Sequence, residues 1–457
     1  MKYRKARLNA PLKVITSFVV LILVGSLLLS LPIASKDGTW LPYIDALFTS
    51  TSAVCVTGLV VVDTAVHFSL FGQIVIMLLI QIGGIGFISL SALFMLAAGK
   101  RLSYKNRVML QESLNQDTSQ GMVVLIKKIA IIVFIIEGIG FVCLLPSMII
   151  SYGWGGGVFN ALFLSISAFC NAGFDVLGTV GMEFTNLAPF AKAAYVLLPI
   201  MFLIVLGGIG YATIVEIAGK FKKDKAKGLT SQTKIILGVT GFLIVGGTIL
   251  FAIFEWNNPL TIGNMSVFDK IINCLFQSVA PRTAGFSTFS QANLTSSSKV
   301  ITDILMFIGG SPGSIAGGVK TTTVFVLFVA AFRSAGEHGD VIINRKRIKN
   351  QTILKALRIV ALAIILTAIA TISLCLIEKD NPLATSGTII FEVISAISTV
   401  GLSLGLTPTL AISSKIILII LMFVGRVGTI TIAYAIQKKS PDAHGEIEYG
   451  DSQITVG

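Results

Sequence analysis

Eight long apolar runs, near residues 14–34, 68–98, 123–150, 187–219, 235–255, 300–332, 353–377 and 412–437, punctuate the chain. Each is long enough to cross a hydrocarbon core, which takes about 20 helical residues. Between the members of each successive pair lies a shorter apolar stretch with scattered hydroxyls, at 43–55, 158–170, 267–281 and 385–398. These are too short to span and suit re-entrant half-helices. The pattern predicts four units of span, half-helix, extended tail and span, over 1–119, 120–230, 231–345 and 346–440, followed by a tail at 441–457.

The extended tails share one frame. Phe48, Ser52 and Ala53 stand ten, six and five residues before Gly58 in Val56-Thr57-Gly58-Leu59. Phe163, Ser167 and Ala168 hold those places before Gly173 in Asn171-Ala172-Gly173-Phe174, as do Phe391, Ser395 and Ala396 before Gly401 in Thr399-Val400-Gly401-Leu402. The third copy, Thr283-Ala284-Gly285-Phe286, keeps only Ala280. Because every unit contains two full spans, each begins and ends on the same side, so the repeats are parallel about an axis along the membrane normal rather than inverted. Four half-helices can then surround a single central pore. Extended backbone at mid-depth is tolerated only where protein buries it or water lines it, so the tails are expected to face that pore. Glycine supplies positive φ and lets backbone approach an ion closely. Carbonyl oxygens of four such tails would replace the hydration shell of a cation.

Composition agrees with an all-α polytopic membrane protein. Hydrophobic residues make up 54% of the chain and charged ones 12%, with a mean hydropathy of +0.88, whereas about a quarter of a soluble domain is charged. A net charge of +13 raises the question of nucleic acid. However, 26 of the 35 Lys and Arg fall in 1–13, 100–107, 127–128, 220–234, 333–358 and 438–439, all on one side of the membrane when the spans are drawn as above. This is the positive-inside pattern; it puts both termini in the cytosol and requires no nucleic acid. The run 14–31 is longer than the roughly 7 to 15 residues of a signal-peptide core and reads as the first span. Five cysteines, odd in number and lying in apolar segments, form no disulfide framework or metal-ligand spacing. There is no H-E-x-x-H, no G-x-S-x-G and no acid pair at a pore-facing position, and His67, His338 and His444 fall in loops or tails, so no enzyme is expected.

The four tails, with the flanking words Asp45-Ala46-Leu47-Phe48, Val62-Asp63-Thr64, Ala280-Pro281-Arg282-Thr283 and Gly405-Leu406-Thr407-Pro408, resemble the Trk/Ktr/HKT superfamily of potassium transporters over essentially the whole chain, above all the KtrB type of membrane subunit. The resemblance implies a KcsA-like pore folded from one chain. It implies an ion-binding selectivity filter at Val56, Thr57, Gly58, Asn171, Ala172, Gly173, Thr283, Ala284, Gly285, Thr399, Val400 and Gly401. It also implies a homodimer in the cell membrane and a cytosolic nucleotide-binding ring of RCK type that controls opening. No cofactor is expected on this chain; potassium is the transported ion and sodium a candidate activator. Relatives that pass sodium often carry serine at the first filter glycine, and Gly58 therefore favours potassium. The alternative is a sodium- or proton-coupled secondary symporter, against which counts the lack of Asp or Glu in the expected pore.

A second glycine repeat lies in the second span of each unit, as Gly83-Gly84-Ile85-Gly86, Gly207-Gly208-Ile209-Gly210, Gly309-Gly310-Ser311-Pro312-Gly313 and Gly425-Arg426-Val427-Gly428. These glycines are expected at one level below the filter in at least three of the units. From Gly309 to Lys320 there are five glycines and Pro312. Such a run should not stay helical, since glycine costs about 1 and proline about 3 kcal/mol relative to alanine. In the resembling family this position is an intramembrane loop that obstructs the pore, which implies a gate at Gly309, Gly310, Ser311, Pro312, Gly313, Ser314, Gly317, Gly318 and Lys320. Its echo of a phosphate-binding loop is broken by Val319 and lacks a preceding strand. Arg426, an ionisable residue within a span, is expected to face the pore and bond this loop. Lys320 either joins the gate or snorkels, and Arg282 braces the filter from behind or faces the outer mouth.

Overall fold

The computed structural model describes residues 10–86, 122–221, 228–333 and 346–428, together with positions 89, 92–93, 95–96 and 342–343. Unit 1 contains α1 (Ala10–Ser30), α2 (Tyr43–Val54) and α3 (Leu70–Ile85). Unit 2 contains α4 (Met122–Phe169), α5 (Ala194–Gly208) and α6 (Tyr211–Phe221). In unit 3 the helices are α7 (Ser231–Glu255), α8 (Val267–Val279), α9 (Ser296–Ile308) and α10 (Thr321–Arg333). Unit 4 has α11 (Asn350–Ile377), α12 (Ser386–Ile397) and α13 (Ile412–Val427). A two-residue ladder pairs Ile342–Ile343 with Lys346–Arg347.

The fold is that of an all-α multi-pass membrane protein. Among the described residues, four helices, α1, α4, α7 and α11, are long and apolar enough to cross a membrane. Their outer faces carry exposed apolar side chains such as Ile150, Phe242 and Leu376, as expected where lipid replaces water. The C-terminal parts of the half-helices are mostly buried instead, and α4 supplies its own after Gly153, where φ 71 and ψ 176 interrupt the helix. Local chemistry sets their starts. Pro42 precedes α2, while Ser266 and Thr385 cap α8 and α12 by accepting from Asp269 and Thr388 N–H, satisfying donors that would otherwise be orphaned at a helix start.

In units 1, 2 and 4 the second spans are not the continuous helices that hydropathy predicts, while the second span of unit 3 breaks at its glycine run. Helix α3 ends at Gly86 (φ 86) and α13 at Gly428 (φ 92). At Ile209-Gly210 the axis turns by 105° between α5 and α6, and α9 and α10 are separated by loop 309–320. A hydropathy run cannot register a positive-φ glycine that leaves composition unchanged. The expected continuations over 87–98 and 429–437 fall almost entirely outside the described residues.

The units pack as a ring. Helix α3 lies on α4, α5 on α8, α9 on α12, and α13 returns to α2, so each second span covers an element of the following unit and the fourth closes on the first. Buried polar groups mark these joints. Gln81 Nε2 donates to both carboxylate oxygens of Glu137 at 3.1 and 3.0 Å, and Asn273 Nδ2 to Ala191 O at 2.7 Å. Lys415 on α13 pairs with Asp45 on α2 at 2.7 Å. Removing one partner of a buried pair strands the other charge, at a cost of about 3 kcal/mol. Lys415→Ala is therefore expected to lower the melting temperature in detergent clearly, and Lys415→Met with Asp45→Leu to recover much of the loss. A single variant as stable as wild type would show that the pair does not hold the ring closed.

Candidate functional site

Four short strands follow the half-helices and converge on one axis. In each, the residue two before the glycine has positive φ (Val56 56°, Asn171 55°, Thr283 73°, Thr399 51°), as does the glycine itself (Gly58 95°, Gly173 69°, Gly285 74°, Gly401 93°). Left-handed torsions are uncommon at non-glycine residues and rarer still at β-branched ones, so three such residues at equivalent positions mark an imposed geometry. Alternating the sign of φ along a strand turns successive carbonyls toward the same side.

The ring is tight and runs in sequence order. A Cβ on Gly173 would lie 2.7 Å from Ala284 O, and one on Gly285 would lie 3.2 Å from Gly173 Cα and 3.3 Å from Gly401 Cα. Added to Gly58 a Cβ would overlap Ala172 O; added to Gly285, Val400 O; added to Gly401, Thr57 O. Each glycine thus abuts the carbonyl just before the glycine of the next unit.

The spacing of the sequence frame has a physical basis. Ser52 and Ser395 accept from Gly58 and Gly401 N–H at 3.0 Å each, and Ser167 Oγ donates to Phe174 O at 2.6 Å. The backbone N–H of Thr57, Ala172 and Val400 donates to the carbonyl of that same serine, at 2.8 Å in all three. Phe48, Phe163 and Phe391 are fully buried behind, as are Ala53, Ala168, Ala280 and Ala396. Unit 3 has Val279 in place of the serine and uses another pattern, with Ala284 and Gly285 N–H donating to Ala280 O at 3.0 and 3.3 Å. The looser third sequence copy is a different way of holding the same strand.

The Asn171 and Arg282 side chains bond to protein groups behind the strands. The Asn171 amide, in the orientation that satisfies it, donates to Ile204 O and Ala168 O at 3.2 and 3.0 Å. Arg282 is buried toward α7 and donates to Thr240 Oγ1 at 3.3 Å. His67 packs edge-on against Phe68, while His338 and His444 lie outside the described residues.

Below the ring is a cavity of about 300 Å³, lined by Gly84, Tyr211, Ala316, Lys320, Ser398 and Arg426 among others. The second glycine repeat shapes it by close packing. A Cβ on Gly83, Gly207 or Gly425 would overlap Val54 O, Phe169 O or Ile397 O, the last carbonyls of three half-helices. Those helix ends carry the negative pole of the macrodipole. Gly84 and Arg426, each next in its motif, face the cavity.

Loop 309–320 lies across this space. Ser311 N–H donates to Gly208 O (2.9 Å), Ile315 N–H to Gly207 O (3.4 Å), and Gly313 O accepts from Tyr211 N–H (3.0 Å). Gly317 sits beneath strand 4, where a Cβ would be 2.7 Å from Ser398 O. The Arg426 guanidinium donates to Ile315 O in the loop and to Gly83 O, and lies 3.4 Å from Gly84 O. Lys320 folds back onto Ala316 O and Gly317 O instead of reaching for the membrane surface.

Hydropathy and glycine spacing missed several residues. Tyr211 ties the loop to unit 1 through Gly84 O at 3.2 Å. Glu392, buried on α12, accepts from Ser403 and Thr407 and so holds the segment after strand 4. Glu255 and Glu378 latch the outer ends of spans, accepting from Thr295 N–H (2.9 Å) and Ala411 N–H (2.8 Å), with Asn258 and Asn381 donating to them at 2.7 and 3.1 Å. Burial works against the charge of Glu378, but hydrogen bonds from Asn381 and Ala411 help to outweigh it and hold the carboxyl below its ordinary range. Unit-to-unit alignment would have found this latch, because E-x-x-N-P-L occurs at both 255–260 and 378–383.

The family model described as TrkH, cation transport protein, matches residues 2–446. The chain is 36% identical to the potassium/sodium uptake protein NtpJ of Enterococcus hirae, across 100% of this chain and 99% of that protein. It is equally 36% identical to the Ktr system potassium uptake protein B of Bacillus subtilis, across 99% and 97%. Among solved structures, the potassium transporter TrkH from Vibrio parahaemolyticus superposes with a TM-score of 0.73 over 94% of this chain and 85% of that one, at 17% identity. That last likeness concerns the fold.

Proposed function

Because the chain belongs to the TrkH family of cation transport proteins, we propose that it is the membrane subunit of a potassium-uptake system and passes potassium through a gated, channel-like pore. The observation that carries this reading is the closed ring of four strands with their glycines at positive φ. Carbonyls of Val56, Thr57 and Gly58, and of their counterparts 171–173, 283–285 and 399–401, replace the water lost by a dehydrated cation. The half-helix ends above the cavity favour positive charge there. Entry is driven by a negative-inside potential worth about 2.3 kcal/mol per charge per 100 mV. No chemistry by this chain is needed, and we read it as a transporter without catalytic residues.

Loop 309–320 and Arg426 form the gate, held across the path by units 1, 2 and 4. We assign control of this gate to a cytosolic RCK-type nucleotide-binding ring acting on a homodimer, on the strength of the sequence resemblance and of basic segments at 100–107, 220–227 and 345–349. With both termini cytosolic, those segments lie on the same side as such a ring. Sodium stays a candidate activator in this reading; among the described residues the cavity lining contains no Asp or Glu, which favours uniport over a proton relay.

Reconstitution into liposomes tests the proposal. Potassium or rubidium uptake should follow an imposed negative-inside potential and persist without a sodium or proton gradient. Flux that requires either gradient would establish the symporter instead.

A further inference from the structure

The four strands of the ring are alike in backbone but not in what holds their outer ends. Among the described residues, Gly173 is the filter glycine whose carbonyl accepts a side-chain hydrogen bond, from Asn186 Nδ2 at 3.3 Å. The same amide nitrogen donates to Asp175 Oδ2 at 3.0 Å. Its oxygen accepts from Leu187 N–H at 2.9 Å and from Ser287 N–H at 3.2 Å, and Leu187 N–H in turn donates to Ser287 O at 3.0 Å.

Asp175 and Ser287 stand two residues past Gly173 and Gly285. One side chain of unit 2 therefore grips the exits of two adjacent strands. Asn186 does this from a left-handed conformation, φ 48°, and asparagine is among the residues that tolerate it. Strain kept at a residue that bridges two functional strands is the pattern expected of imposed geometry.

We propose that Asn186 is a specificity-determining positioning residue: its amide fixes the direction of the outermost carbonyl of strand 2 and its distance from strand 3, and thereby the fit of the outer ion site to potassium. This rests on the potassium-transport reading above. The donor and the acceptor of the amide have separate tasks. The donor aims Gly173 O and holds the Asp175 carboxylate beside it; the acceptor keeps Ser287, and with it strand 3, in register. An aspartate at 186 keeps the acceptor but sets a second carboxyl against Asp175 and Gly173 O. A glycine keeps the left-handed backbone and removes the amide altogether.

The test compares potassium-over-sodium permeability ratios for the wild type, Asn186→Gly, Asn186→Asp and Asp175→Asn in liposomes, with melting temperatures measured on the same preparations. Asn186→Gly and Asn186→Asp are expected to lower the ratio about tenfold, the scale of one or two lost hydrogen bonds, while potassium flux persists through the inner sites. Asp175→Asn, whose side-chain oxygen still accepts from Asn186, is expected to keep the ratio within about twofold of wild type. A merely structural role would lower the melting temperature and leave the ratio unchanged. A wild-type ratio in folded Asn186→Gly overturns the clamp alone, and a wild type without potassium flux overturns both the clamp and the transport reading.

Discussion

Alanine at Gly401 is expected to abolish selective potassium flux while leaving the four units assembled. The position has φ 93°, and the added methyl would overlap Thr57 O, with Gly58 Cα at 2.8 Å and Gly58 C at 3.0 Å. Two costs follow. A left-handed torsion at alanine is worth about 1–2 kcal/mol, which the surrounding bundle can absorb. The overlap cannot be absorbed locally, because the atom that must move is a backbone carbonyl of the neighbouring strand and one of those that replace the ion's water. Displacing it damages sites on strands 1 and 4 together, so flux should fall at least about tenfold and the residual current should lose selectivity. Gly405 separates the two costs. It too has a positive φ, 92°, but nothing lies within 4 Å of an added Cβ. Gly405→Ala carries the strain without the overlap and should transport nearly as wild type. If Gly401→Ala behaves like Gly405→Ala in vesicle flux, the ring is not the ion's path.

What makes Gly401 irreplaceable was partly visible in the sequence. The −10, −6 and −5 frame marked strands 1, 2 and 4, because a half-helix that must deliver a glycine to one axis fixes the distance from its buried Phe to that glycine, and strand 3 was marked by its glycine with Ala280 alone. The serine at −6 was legible as a position and not as a reason, which is its bond to the glycine N–H in units 1 and 4. The second glycine motif was legible as a level in the membrane. In units 1, 2 and 4 its first glycine turned out to be close packing against a half-helix end and its last a break in the helix. Residues that join units were not legible. Gln81 and Glu137, Lys415 and Asp45, and Asn186 and Ser287 are separated by 56, 370 and 101 positions, and nothing in local periodicity pairs them. Arg426 was the exception, since one charge in an apolar run requires a partner even before the partner is known.

That partner defines the second large effect, on gating. Arg426→Met is expected to raise basal potassium flux about tenfold in the absence of any cytosolic regulator, with the potassium-over-sodium ratio unchanged. The guanidinium on unit 4 donates to Ile315 O of the loop and to Gly83 O of unit 1, so it staples the loop to two walls of the cavity at once. Hydrogen bonds from charged donors contribute about 1.5–3 kcal/mol each, and losing even the weaker figure shifts a closed-to-open equilibrium by a factor of ten. Methionine retains an apolar stem of comparable length while removing both the donors and a fixed positive charge that repels a cation arriving below the filter. The loop keeps its backbone bonds to Gly207, Gly208 and Tyr211 of unit 2, so it should swing free on that side and stay folded. Arg426→Lys keeps the charge but loses the fork, and should fall between the two. Shortening the loop within 309–318 should raise flux further, because it removes the obstruction rather than its fastening. Folded Arg426→Met protein with unchanged or reduced basal flux would mean that the arginine does not hold the gate shut.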